Sequence, residues 1–352
     1  MKKGVVFYFF LVSIIFQINF AFAREPACEL LFTAENQNRV SEQRSIEEIQ
    51  QLRVLTFNMR DFHYTIEPEK ITTKPYHQIK LLGQNLYQLQ PDIMILEEVN
   101  PIAIARFQER FLNNEYSLFT TTGQLENMGI VFAVKKDLPF EFKLEQHREI
   151  RWNDPLDHQD KPLFPRDAPG LKVFIKGDAA PRLILLGHHG KSKRDREDYK
   201  SHHVDHGSEM MRAAQAATLS KIVNQYKQQY PGVAILVAGD FNMDIQDHVM
   251  RPLRRHMKDS FEVNPEPVAP RHQITHSYFT EKQGFFQKID MILGTRKFMK
   301  SVKRTFVYYF RNHRGKILFP PKSYEEREQR ASDHMPLVVD LDFLTLFGLQ
   351  QR

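Results

Sequence analysis

The 352-residue chain has one cysteine, Cys28, and one tryptophan, Trp152. A single thiol closes no internal disulfide, so stability must come from packing, helped or not by a metal. After residue 23 no apolar run is long enough to cross a bilayer. No internal repeat is visible, which argues against a solenoid. An excess of one charge is also missing: 49 Lys and Arg against 43 Asp and Glu give +6, with a pI near 9.1. This mild basicity favours an anionic partner without choosing among nucleic acid, a phospholipid surface and plain solubility. Nothing in the sequence marks a protein partner. What is present is aromatic: 28 Phe and 12 Tyr point to a Phe-rich core. At 41% hydrophobic and 26% charged, the composition suits a soluble globular chain with a sizeable interior.

The first 23 residues read as a signal peptide, not as fold. Lys2 and Lys3 precede the apolar stretch Gly4 to Phe16, and Ala21-Phe22-Ala23 offers a small-residue cleavage site. Cleavage after Ala23 would leave a secreted or periplasmic protein of charge +4. Residues 24–50 are polar and predict a linker or short helix leading to the domain. One domain is expected over 51–345, with a tail at 346–352.

Short apolar runs recur through that domain. They include Arg53 to Phe57, Asp92 to Leu96, Gly129 to Val134, Leu171 to Ile175, Arg182 to Leu186, Val233 to Ala238, Ile289 to Leu293 and Pro336 to Leu341. Several are apolar throughout, as strands covered on both faces are. His77 to Leu89 and Met210 to Tyr230 carry helical spacing. Asn153 to Gly170 and Phe261 to Thr275 predict loops. The mixture predicts one α/β domain of two packed sheets with helices outside.

Polar residues sit at the strand borders. Asn58 ends the first run, Glu97 and Glu98 the second, and His188 and His189 follow Leu186. Asp240 and Asn242 end the run from Val233, and alternation would turn Phe241 to the opposite face, into the core. Asp290 lies near the start of one late run; Asp333 and His334 precede another. If the last two strands run antiparallel to the others, all these groups converge on one edge. Carboxylate and amide oxygens suit a hard cation such as Mg²⁺, with Mn²⁺ as a substitute. Imidazoles supply proton transfer or hydrogen bonds to a phosphoryl group.

The stretches RVLTFNMR, PDIMILEEV, GHHGKS, VAGDFN, KIDMIL and SDHMPL occur in that order over residues 52–343. Together they resemble the ordered motifs of the endonuclease/exonuclease/phosphatase superfamily. The resemblance implies a four-layer α/β/β/α sandwich with two mixed sheets and an active site at one edge. It implies Glu98 as the main Mg²⁺ ligand with Asn58 beside it, and Asp333 as a further metal or acid/base carboxylate. Asp240 and Asn242 would position water and a phosphate oxygen. His189 would contact the phosphoryl group or the leaving group, and Asp290 would pair with His334. Either Asp240 or His334 could take the proton from water. His188 matches no family role and is expected to be structural.

Other features have two readings. Lys191 and Ser192 open a basic segment that grips a phosphate backbone or lies solvated. Arg166, with Trp152 and Phe164, could clamp and stack on nucleic acid or simply close the core. His202, His203, Asp205 and His206 form a polar cluster that could hold zinc, although no further ligand is placed by the sequence. Arg212 and Gln215 on the next helix could lean towards the site, but surface exposure is the default expectation. The expected activity is a secreted, metal-dependent phosphodiesterase, most simply a nuclease. The alternatives are a sphingomyelinase acting on membrane lipid, an inositol-phosphate phosphatase and a non-catalytic binding module.

Overall fold

The computed structural model describes residues 43–63, 65, 72–121, 128–193, 206–280 and 283–349. The expected leader and most of the expected linker lie outside the described residues, as do His202, His203 and Asp205. In chain order, β1 (Gln51–Phe62) leads to α1 (Tyr76–Leu89), β2 (Ile93–Val99), α2 (Pro101–Phe111), β3 (Tyr116–Thr120), β4 (Gly129–Lys135) and β5 (Phe140–Glu145). A small hairpin, β6 (Arg151–Asn153) and β7 (Asp160–Pro162), precedes β8 (Gly170–Ile175) and β9 (Leu183–His189). Helix α3 (His206–Gln229), β10 (Ala234–Asp240), α4 (Arg251–Arg254) and β11 (Lys258–Asp259) follow. A second hairpin, β12 (His276–Phe279) and β13 (Gly284–Gln287), runs into β14 (Asp290–Gly294). The chain closes with α5 (Arg296–Met299), β15 (Val302–Val307), α6 (Tyr324–Glu328), β16 (Leu337–Asp342) and α7 (Phe343–Phe347).

Twelve of these strands make two six-stranded mixed sheets, ordered β15-β16-β1-β2-β4-β3 and β11-β14-β10-β9-β8-β5. Strand alternation decides which face each residue serves. Leu52 and Val54 of β1, Ile93 and Ile95 of β2, and Leu236 and Ala238 of β10 join the layer between the sheets. Leu55, Phe57 and Met59 turn the other way, onto Leu82, Leu86 and Phe107 of α1 and α2. Ile235 and Val237 turn onto Leu219 and Val223 of α3. The result is the expected four layers, with the helices outside and apolar runs buried on both faces. Helix α2 starts where it does because the Asn100 side chain accepts hydrogen bonds from Ile102 and Ala103, with Pro101 in the first turn.

Described residues on either side of the expected boundaries pack on the domain. Arg44 pairs with Asp92 and Asp137, and Ile49 is buried, so the described end of the linker is packed on the domain. Leu346 and Phe347 of the expected tail are buried in the inter-sheet core. The loop expected at 153–170 contains β7, paired with β6.

Candidate active site

Parallel pairing of β1 with β2 and of β9 with β10 brings four C-terminal strand ends to one edge. β14 pairs antiparallel with β10, and β16 antiparallel with β1, so their N-terminal ends arrive at that edge as well. Alternation continues the inter-sheet face outward. Asn58 follows Val54, Asp240 follows Leu236 and Ala238, and His189 follows Leu185. Phe241 falls on the helix side, as expected, and so does His188, whose ring packs against Phe164 and Phe241.

Glu98 breaks this rule. Alternation would send it toward α1 and α2 with Met94 and Leu96. Its φ of +55° and the register shift between Glu97 and Val99 turn it instead. β1 bulges beside it, with Arg60 and Asp61 at φ +47° and +49°. Such left-handed backbone at non-glycine residues costs energy and clusters at functional sites. The Asp61 amide donates to Glu98 Oε2 at 3.1 Å.

The geometry is tight. Asn58 Nδ2 lies 3.2 Å from both Glu98 Oε1 and Asp240 Oδ2. His189 Nε2 lies 3.7 Å from the same two oxygens. Asp240 Oδ1 accepts from the Asn242 backbone at 2.7 Å, and Asn242 Nδ2 lies 3.1 Å from Asp240 Oδ2. His334 Nδ1 is 2.8 Å from Asp290 Oδ2, which leaves Nε2 facing Asp240 at 3.8 Å. Several of these charged atoms stand 3.7–3.8 Å apart, beyond hydrogen-bond length. Two carboxylates therefore share one space, and Glu98 keeps 19% of its side chain open to it. Carboxylate oxygens of Glu98 and Asp240 around a common gap fit a hard divalent cation, while Asn58, expected as a ligand, turns its Nδ2 to them and accepts the Arg60 amide with Oδ1 at 2.9 Å.

Burial and neighbours separate the protonation states. Burial, aided by Asp290 and Glu98 and opposed by His334, pushes the Asp240 carboxyl up to about 7. Burial works against a charged His334 ring, but Asp290, then Asp240 and Asp333, outweigh it and hold the imidazolium well above its usual range. His189 is driven the other way, first by burial and then by Arg166, so its ring is neutral. Burial alone brings His188 down to about 3. Glu97, fully enclosed and hydrogen-bonded by Thr56 at 2.6 Å, is pushed well up by burial and stays a neutral acid.

These groups open onto a cavity of about 650 Å³ that includes Glu98, Asp240, Asn242, His189 and His334. Arg166 and Ser192 also line it; Lys191 does not. Asp333 is on the wall formed by the second hairpin and α6. Its Oδ2 lies 3.7–3.9 Å from Arg327, Arg60 and His276. Burial opposes its charge, yet His334, His276 and the two guanidiniums together keep its carboxyl low. His276, Asp333 and His334 form a second set able to ligate a metal.

Several contributors escape sequence reasoning. Arg60 closes the stretch RVLTFNMR, but only the bulge turns it inward. Arg327 comes from a short helix with no motif. His276 and Tyr278 share a face of β12 that alternation could have indicated. Arg212 and Gln215, expected at the surface, are buried: they hold the backbone of Lys191 and Ser192 at 3.0–3.3 Å and so brace that loop. The zinc reading of the 202–206 cluster lies outside the described residues, apart from the backbone of His206.

A model of the Endonuclease/Exonuclease/phosphatase family matches residues 55–334. Among curated protein sequences none matches the chain. Truncated TDP2 from Caenorhabditis elegans superposes with a TM-score of 0.55 at 16% identity, covering 83% of this chain and 98% of that one. D. rerio TDP2 complexed with single-strand DNA product gives 0.54 at 14%, covering 83% and 99%. A mannosyl-6-phosphatase from Bacteroides thetaiotaomicron gives 0.51 at 15%, covering 82% and 99%. At these identities the likeness shows the fold alone.

Proposed function

This chain belongs to the Endonuclease/Exonuclease/phosphatase family, and from that premise we propose that it is a Mg²⁺-dependent phosphodiesterase acting on nucleic acid. The observation that carries the reading is the meeting of Glu98, Asp240, Asn242 and His189 with the Asp290–His334 pair in one cavity. Glu98 would hold the cation, with Asn58 beside it bridging Glu98 and Asp240 through Nδ2 and Asp333 nearby. When bound, Mg²⁺ supplies charge neutralisation and polarisation at a phosphoryl oxygen. Asp240, poised near neutrality, accepts the proton of the attacking water. His334, kept charged by Asp290, stabilises that carboxylate and donates to an equatorial oxygen. Neutral His189 and the Asn242 amide donate where negative charge grows, and preorganised donors help most there. Arg166 and Ser192 hold a neighbouring phosphate oxygen.

Nucleic acid is favoured by four cavity-lining cations, Arg60, Arg166, Lys193 and Arg327. The structure of D. rerio TDP2 complexed with single-strand DNA product supports the same choice by analogy. Export, with cleavage after Ala23, is part of the proposal on sequence grounds. The test is incubation of the purified protein with plasmid DNA, RNA, sphingomyelin and inositol phosphates, with Mg²⁺ and with EDTA. Metal-dependent cleavage of DNA or RNA is expected. Turnover of only the lipid or the inositol phosphates would reject the substrate class, and no turnover of any would reject the activity.

A further inference from the structure

Resting on the reading that this cavity cleaves nucleic acid, we propose that the β12–β13 hairpin is a base-stacking platform that selects single strands. The rings on its cavity side form a continuous series. His276 lies 4.4 Å from the His334 ring, and Tyr278 is near-parallel to His276 at 6.2 Å. Phe285 stacks under Tyr278 at 4.6 Å with an interplanar angle of 8°. Pairing explains the order: Tyr278 faces Phe285 across the hairpin, and His276 sits two residues before Tyr278 on the same face. His276 and Tyr278 line the same cavity as Glu98 and Asp240.

The series therefore starts at the reacting centre and leads away from it. The hairpin is anchored at its catalytic end. The Ser277 amide donates to the Asp333 carbonyl at 3.0 Å, and the Met335 amide to the Thr275 carbonyl at 2.7 Å. A ring held rigidly beside a phosphate site offers a base a face to stack on at low entropic cost. A duplex keeps its base faces covered by neighbouring pairs, so the platform rewards an unpaired base. A lipid surface fits less well. The sequence between the two strands reads Thr280-Glu281-Lys282-Gln283, polar throughout, whereas a membrane-inserting segment needs apolar residues there.

The test is steady-state cleavage by the full chain with Mg²⁺. The substrates are a labelled single-stranded oligonucleotide, its duplex, and an abasic oligomer of equal length. A lower KM for the single strand than for the duplex is expected. Removing the bases should raise KM roughly 5- to 100-fold, and Tyr278→Leu should do the same. The two penalties should not add, and Tyr278→Trp should restore KM. If Tyr278→Leu does not fold, Phe285→Leu is read in the same cycle. Additive penalties, preference for the duplex, or loss of kcat alone would overturn the platform. So would co-sedimentation with phosphatidylcholine–phosphatidylserine vesicles that is lost in Phe286→Ser. Methyl p-nitrophenyl phosphate separates the two readings. Its hydrolysis without cleavage of any oligonucleotide removes the platform and leaves the phosphodiesterase; failure on both removes both.

Discussion

In the proposed reaction Asp240 carries the largest chemical load of any single residue. Burial makes it a poor anion and a good base, and His334 limits how far it is pushed. The rate should therefore rise with pH through about 7 and level off above it. A pH–rate profile checks this, and the rising limb should vanish in Asp240→Asn. That variant, and His334→Ala, should lose roughly 10²- to 10⁴-fold in kcat, while circular dichroism still shows a folded chain. The identity of these residues was legible in the sequence because ordered motifs bracket them. Their protonation was not, because it depends on how deeply each is enclosed and on charged partners brought in from other strands, as His334, Asp290 and Glu98 are for Asp240.

At the scale of elements, strand ends and their bulges build the site. Apolar runs showed where most strands lie, and alternation correctly separated Asp240 from Phe241. Alternation alone would have misplaced Glu98, because a two-residue period carries no sign of a left-handed turn. Arg327 was illegible for another reason: α6 has only five residues and reaches the cavity through tertiary packing. Gly239 shows how narrow the tolerance is. Its φ is +145°, and a Cβ there would stand 1.7 Å from the His188 carbonyl oxygen on the paired strand. Gly239→Ala should cost on the order of 2–3 kcal/mol in urea unfolding and abolish turnover by displacing Asp240. A stability close to that of the unsubstituted protein would show that β9 and β10 are not held this closely.

For the whole molecule, the sandwich concentrates titratable groups at one rim, and this couples stability to pH and to metal. Asp240 has a folded pKa raised to about 7, above the ordinary carboxylate value near 4. The folded state therefore binds the proton more tightly, and stability falls as pH rises across that window. His334, raised above its usual range, likewise contributes stability below about pH 6.5 that is lost as pH rises through its folded value. A divalent cation competes with these protons, so its stabilising effect should grow with pH. Thermal melts in Mg²⁺ and in EDTA should show a larger Tm difference at pH 8 than at pH 6. Equal differences would mean that the ion binds away from this rim. The central claim is that side chains from both sheets form one metal-dependent hydrolytic centre. Its most direct measurement is the rate of bis(p-nitrophenyl) phosphate hydrolysis against Mg²⁺ concentration, in the unsubstituted protein and in Glu98→Gln. A saturable rate that EDTA abolishes, and that needs far more Mg²⁺ in Glu98→Gln, is the predicted result. A rate indifferent to metal, or the same Mg²⁺ dependence in both proteins, would contradict it.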